Sequence, residues 1–372
     1  MAFYEKEGSI AMEIGSIFEI DPLDIHRGGS IANGLCLPIE QGRNFVTTLF
    51  NTGRSAIEAQ MKHLKKAGYS KLYLPAFVCD SVSSAAKRAG MSLQYYGVNT
   101  DLSVDFGTID IEYKAVIYVV QFFGQKIEPA FLTFLQKAQK AGMIVVEDIS
   151  LSLLSEDETC VGFGDYIIGS LRKWFPIPDG GILLSKAPMT FDLADAANDY
   201  TLNYFTAQIL KHQYLTDGGE DKVLKETFLY YNRVGMDALF SDYTIRRISR
   251  VSEDLLKCQD FLQIREQRIR NYDILRALLA PIPQVKVLVD RQGAMTPLGM
   301  VILVEDREGL LRHLISKGIY CNVHWRENEA MEHFPDAQYI AAHCITIPCD
   351  QRYGEKEMHY ISEIVRVYYG GK

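Results

Sequence analysis

The sequence predicts an α/β fold: a large domain with a mainly parallel sheet flanked by helices, followed by a small C-terminal α+β domain. Three observations point there. Apolar runs of strand length alternate with helix-period segments from about Asn51 to Lys186, as βαβ units do. The run Ala115-Val116-Ile117-Tyr118-Val119-Val120 is apolar without a break, which suits a strand covered on both faces. The chain then changes character twice, to a charged helical stretch over about 191–280 and back to mixed strands and helices over 282–372. The expected divisions are an N-terminal segment over 1–45, a large domain with a helical extension over 46–280, and a small domain over 281–372.

In order, Asn51-Thr52-Gly53-Arg54-Ser55-Ala56-Ile57 leads into a helix reaching about Lys66. Lys71–Leu74 is a short strand ended by Pro75, a helix spans roughly 78–89 before Gly90, and Leu93–Tyr96 is again strand-like. Pro129 opens a helix of about 12 residues with Phe131, Leu132, Leu135 and Ala138 on one face and Gly142 at its end. Strands are expected at Met143–Val146, Tyr166–Ile168 and Gly181–Leu184. The helix holding Arg265–Tyr272 ends near Pro281. Strands at Val285–Val289 and Met300–Val304, a helix over about 306–317 closed by Gly318, and a last helix from about Glu355 complete the reading.

Composition narrows the partners. The 372 residues are 48% hydrophobic and 23% charged, with a formal net charge of −8. That balance, with no basic patch or arm, argues against nucleic acid. Met1–Glu7 is polar and lacks a signal core, and no apolar stretch reaches membrane-span length. The seven cysteines (36, 79, 160, 258, 321, 344 and 349) are odd in number and form no Cys-x-x-Cys pair. A reducing, cytoplasmic setting is the simplest reading. No histidine has metal-ligand spacing to these cysteines.

The chemistry gathers at two strand ends. Val145-Val146 runs into Glu147-Asp148, and Ile167-Ile168 runs into Gly169-Ser170-Leu171-Arg172-Lys173. Ligands of open α/β sheets bind at the carboxyl ends of the strands. A lysine and a carboxylate there suit pyridoxal 5'-phosphate (PLP), the lysine forming the Schiff base and the acid pairing with the pyridinium nitrogen. An acidic residue at a strand end more often caps a turn, but the apolar run before Asp148 would draw it inward, where a carboxylate needs a partner. Glu147 alternates to the other face and reads as structural. Gly53, Arg54 and Ser55 at a helix start could form an anion site, ordinary N-capping by Thr52 or Asn51 being the plainer reading. Ser170, three residues before Lys173, would reach the cofactor phosphate. Arg172 could pair with a substrate carboxylate, a solvated charge or structural ion pair being the commoner case. Trp174, Phe175, Pro176 and Pro178 suggest a packed surround for the lysine. Ser170-x-x-Lys173 also matches the acyl-enzyme serine of penicillin-binding proteins, with Ser241-Asp242-Tyr243 a loose second motif. No Lys-Thr-Gly element follows, and where that fold has the serine open a helix, here a strand precedes it and two prolines follow it.

Taken together, the chain from about Leu49 resembles the PLP-dependent sugar aminotransferases of the DegT/StrS family, which have the aspartate-aminotransferase (type I) PLP-transferase fold. The resemblance rests on ordered segments: Thr52–Ile57, Leu74–Cys79, Phe123-Gly124-Gln125, Val146–Asp148, Gly162–Asp165, Ser170–Lys173 and Asp179-Gly180-Gly181. Arg268-x-x-Asn271-Tyr272 and Ile347-Pro348-x-Asp350 extend it. It implies Lys173 as Schiff-base lysine and proton carrier, Asp148 at the pyridinium nitrogen, and Gly53, Arg54, Ser55 and Ser170 at the phosphate. Cys79 stands where the family usually stacks an aromatic residue on the cofactor ring. Leu151 stands where it often has glutamine or histidine.

The expected function is ping-pong transfer of an amino group from a small-molecule donor, glutamate foremost, to an oxo acceptor such as an oxo-sugar. The resemblance also implies a homodimer, with 241–247 reaching the partner's cofactor. A PLP enzyme of another class, a lyase or dehydratase, and a non-catalytic PLP-fold interaction protein are the alternatives.

Overall fold

The structure, a computed structural model, describes residues 13–26, 37–40, 43–156, 161–291, 293 and 295–370. Met1–Glu7, Cys36 and Cys160 lie outside the described residues. A short strand β1 (Ile14–Gly15) and helix α1 (Pro22–His26) precede β2 (Val46–Phe50), α2 (Gly53–Lys66), β3 (Lys71–Pro75), α3 (Asp80–Arg88), β4 (Ser92–Val98) and β5 (Val104–Asp105). Then come β6 (Ala115–Val120), α4 (Pro129–Lys140), β7 (Ile144–Asp148), β8 (Tyr166–Ser170) and β9 (Gly181–Ser185).

Strands β2 to β9 form one eight-stranded sheet in the order β2-β9-β8-β7-β6-β3-β4-β5. Its centre is parallel, from β8 through β7, β6 and β3 to β4. Strand β9 runs antiparallel between β8 and β2, and β5 is an antiparallel edge. The mainly parallel sheet expected from the sequence is therefore present. Every residue of β6 is buried, because helices cover both faces and each side chain, up or down, meets protein. The helix expected over 78–89 is shorter, since Cys79 is extended (φ −68°, ψ 134°) and caps α3.

Four helices follow: α5 (Asp199–Thr216), α6 (Lys222–Ser241), α7 (Arg250–Lys257) and α8 (Phe261–Leu279). The C-terminal part contains β10 (Lys286–Val287), β11 (Met300–Leu303), α9 (Arg307–Ser316), β12 (Ile319–Tyr320), α10 (Pro335–His343), β13 (Cys344–Ile347) and α11 (Glu355–Gly370). The strand expected at Val285–Val289 reduces to two residues on the edge of the antiparallel sheet β10-β11-β13. Tyr272, Leu275 and Leu279 of α8 pack with Met358, Ile361 and Val365 of α11 in its core.

Two buried polar networks tie this part to the rest. Asn271 Nδ2 donates to the carbonyls of Asp350 and Tyr353, both at 2.9 Å. Arg268 donates to Pro297 O, Leu298 O and Gln351 Oε1, and Gln351 Nε2 donates to Trp174 O at 2.8 Å. The Arg268-x-x-Asn271-Tyr272 and Ile347-Pro348-x-Asp350 segments thus brace the residue next to Lys173. The N-terminal strand is captured as well: β1 pairs in parallel with β12. Lys211 Nζ donates to Ile17 O at 2.7 Å, and Arg352 Nη1 to the same carbonyl at 3.0 Å. Among the described residues, no helix is long and apolar enough to cross a membrane.

Candidate active site

A cleft with about 840 Å³ of empty space, open solvent included, lies at the carboxyl ends of β7 and β8. Gly53, Arg54, Cys79, Asp148, Ser170 and Lys173 all line it, together with Leu151, Arg172 and Trp325. Cys79, Asp148 and Ser170 meet because the parallel strands β3, β7 and β8 end on the same side of the sheet, and Trp325 reaches them from the loop after β12. Ser55 is not among the lining residues.

Lys173 owes its place to the strand before it and the packing after it. β8 ends at Ser170, and one 3₁₀ turn, Leu171–Lys173, carries the chain away. Leu171 N bonds to Gly180 O, and the Trp174 indole donates to Ser150 O at 3.0 Å. Trp174 and Phe175 are fully buried, so the lysine hangs from an anchored turn. Its amine is driven below its ordinary pKa by burial, Arg172 adding to this while Cys79 and Asp148 oppose it. Ser170 ends a strand and starts no α-helix, which removes the context that an acyl-enzyme serine would need.

Asp148 ends β7 and is buried. Its Oδ2 accepts from the Tyr118 hydroxyl at 2.8 Å and its Oδ1 from Ser150 N at 2.8 Å. A carboxylate offers about four acceptor positions, so capacity remains for a further N–H donor. Glu147 points to the opposite face and accepts from Gly162 N and Gly164 N. Burial lifts its pKa to about 7.

At the start of α2, Thr52 caps the helix: its Oγ1 accepts from Ser55 N and lies 2.9 Å from Ser55 Oγ. The capping reading of this segment is thus realised, and the Ser55 hydroxyl faces Thr52. Gly53 abuts the lysine strand, where a Cβ would stand 3.3 Å from Ser170 Cβ. Gly181 is required more strictly, because a Cβ there would fall 2.2 Å from Thr52 O. Arg54 reaches the cleft edge, but its guanidinium donates to Leu239 O and Asp242 O and lies 4.8 Å from the Tyr243 ring centroid. The 241–247 segment therefore packs against this chain's own cleft rim.

Two groups lay outside the sequence reading. Tyr118 is the donor that fixes Asp148; a phenol inside an unbroken apolar strand is the signal, since a buried hydroxyl needs a partner. Trp325 closes the cleft, its ring 5.1 Å from that of Phe77. Next to it His324 is buried, with Nδ1 2.8 Å from Thr346 Oγ1. Burial, aided by Lys173, pushes its pKa down to about 3. An aromatic pair inside the polar run Asn322–Asn328 was the sequence sign of this wall.

The fold is that of the PLP-dependent transferases. Among solved structures it resembles DesI with its TDP-sugar product, at 14% identity and TM-score 0.67 over 98% of this chain and 95% of that one. It also resembles the E. coli GDP-4-keto-6-deoxy-D-mannose-3-dehydratase with bound hydrated PLP, at 14% identity and TM-score 0.64 over 95% and 100%. A DegT/DnrJ/EryC1/StrS aminotransferase from Brucella abortus aligns at 17% identity and TM-score 0.60 over 87% and 86%. No protein-family model matches the chain, and no curated protein matches it. The resemblance noted in the sequence is borne out at the level of fold.

Proposed function

We propose that the chain is a PLP-dependent aminotransferase that takes an amino group from a donor amino acid, glutamate foremost, and delivers it to an oxo acceptor of the oxo-sugar class. The observation that carries this reading is the convergence of Lys173, Asp148, Ser170 and Gly53 on one cleft. The residues suit the cofactor. Asp148 is buried with acceptor capacity to spare, and the lysine amine is shifted toward its neutral, nucleophilic form. Bound there, PLP would supply an electrophilic carbon and an electron-withdrawing ring.

The chain's own groups would do the rest. Lys173 would anchor the cofactor and then carry a proton to and from the substrate's reacting carbon. Asp148 would hold a proton on the ring nitrogen, with Tyr118 and Ser150 N keeping the carboxylate oriented. Ser170 and the start of α2 would hold the phosphate. Cys79, Leu151 and Trp325 would line the ring and exclude water. A homodimer in a reducing, cytoplasmic compartment completes the reading.

The test is a half-reaction screen. Amino acids are added to the PLP-loaded protein and the visible absorbance is followed. Conversion by glutamate supports the aminotransferase reading. Bound PLP that no amino acid converts would sink it and favour a lyase or dehydratase, the activity named for the E. coli neighbour. Light scattering at micromolar concentration should give the dimer mass.

A further inference from the structure

Arg172 differs from most of the described enclosed arginines. Arg352 pairs with Asp350 and Glu19, Arg88 with Glu58, and Arg246 with Asp242. Arg54 and Arg268 donate to backbone carbonyls. Arg172 is only partly exposed and lines the cleft. Among the described residues, no carboxylate stands within ion-pair distance of it; its companions are the phenols of Tyr200 and Tyr204, which favour its charged form and raise its pKa, the Tyr204 ring centroid lying 5.9 Å from the guanidinium carbon. The charge of the cleft is lopsided in consequence. Arg54, Arg172 and Lys173 face it, against Asp148 as the acid of the lining, and that acid already accepts from Tyr118 and Ser150.

A cation held by phenols alone, with no counter-charge, is only partly compensated for its lost hydration. Where such a cation faces a ligand cleft, the cost is recovered when an anion arrives. A guanidinium is built for that task, because its planar fork meets two oxygens of a carboxylate or phosphate at once. We propose that Arg172 is the oxyanion-recognition group of this cleft, a specificity-determining residue that meets either the phosphate of the cofactor or the carboxylate of the amino donor. This rests on the PLP reading given above. Its place in the chain, two residues past Ser170 and directly before Lys173, puts it in the same cleft as the residues proposed to hold both.

The experiment uses Arg172→Gln and Arg172→Lys in the full chain. The free variants should fold, with Tm close to the parent's, since no ion pair is lost. Each is titrated with PLP and with pyridoxal, which lacks the phosphate, and the loaded forms are titrated with glutamate. A loss in Arg172→Gln of about tenfold or more in PLP affinity, with pyridoxal unchanged, identifies the phosphate as the anion. Unchanged PLP affinity with glutamate weakened by about tenfold or more identifies the carboxylate. Partial recovery in Arg172→Lys supports either outcome, because charge returns without the fork. PLP and glutamate both binding as in the parent would overturn the proposal. So would equal losses for PLP and pyridoxal with a fall in Tm, which mark a structural role. A parent that binds no PLP would defeat the cofactor reading instead. The proposal is then read by thermal shift with inorganic phosphate and with glutamate: a shift lost in Arg172→Gln upholds it, and no shift in the parent overturns it.

Discussion

Tyr118 and Asp148 meet across two neighbouring parallel strands, the phenol donating to Oδ2 at 2.8 Å. Burial, with the adjacent carboxylate, raises the Tyr118 pKa well above its ordinary value, so the hydroxyl keeps its proton and remains a donor at every working pH. The partner it fixes is the carboxylate proposed to meet a ring nitrogen. Strand register therefore sets the aim of the carboxylate, and the aim does not depend on a flexible loop.

Removing either partner should be visible in turnover. Tyr118→Phe deletes a hydrogen bond to a charged group, worth about 1.5–3 kcal/mol, and should slow the glutamate half-reaction by about tenfold or more. Asp148→Asn should keep the bound cofactor but lose most turnover, because a neutral amide no longer favours a protonated ring nitrogen. Stopped-flow rates compared with cofactor content check both. A near-normal rate in Asp148→Asn would assign the residue another role.

On the proposed reading, Lys173→Ala removes anchor and proton carrier together. Ser170, Asp148 and the start of α2 remain, so PLP should still bind, more weakly. Loss of a positioned acid–base group costs about 10²–10⁴-fold in rate. Borohydride reduction followed by mass spectrometry should find the pyridoxyl group on Lys173 in the parent and on no lysine in the variant. Because burial lowers the lysine's pKa from 10.5, the rate of PLP capture should level off at a pH below that value. A midpoint at or above it would mean that the amine is not buried as described.

Glu147 predicts a pH signature in stability. Its pKa is about 7 in the folded chain against an ordinary 4.5, so the folded state binds the extra proton. Stability from this group is full below pH 4.5 and is lost as pH rises through 7, up to about 3 kcal/mol in all. Glu147→Gln keeps an acceptor and should flatten that part of the profile. Urea melts of both proteins across pH 4.5–8 decide it, and parallel profiles would contradict the assignment.

Asn271→Ala separates bracing from chemistry. It strips the carbonyls of Asp350 and Tyr353 of a buried donor, at a cost of about 1–3 kcal/mol. Chemical denaturation should show that loss. The half-reaction rate of the folded, PLP-saturated variant should stay within about twofold of the parent's, less than 1 kcal/mol of barrier.

The cleft was legible in the sequence wherever function coincided with strand ends. The runs before Asp148 and Ser170 are apolar enough to demand burial, and a strand that stops at a charge shows where the sheet opens. Strand β2 was not legible, since Val46–Phe50 lies at the sheet edge and four of its five residues are only partly buried. Likewise the antiparallel turn of β9 between two strands leaves no mark on composition. Trp325 escaped for a different reason. It sits on a loop whose position is fixed by the pairing of Asn322 with Thr346, and no local period can report a contact made through β13.

The captured N-terminal strand has a consequence for how the molecule is assembled. Gly15 N bonds to the Tyr353 hydroxyl at 2.7 Å across 338 positions of sequence. Loop closure of that span must precede any reward from the contact. During synthesis β1 therefore lacks its strand partner until β12 has been made, and its bond to Tyr353 comes later still. Strand β1 is thus made long before the strand that seats it, and the fold is latched late by that pairing.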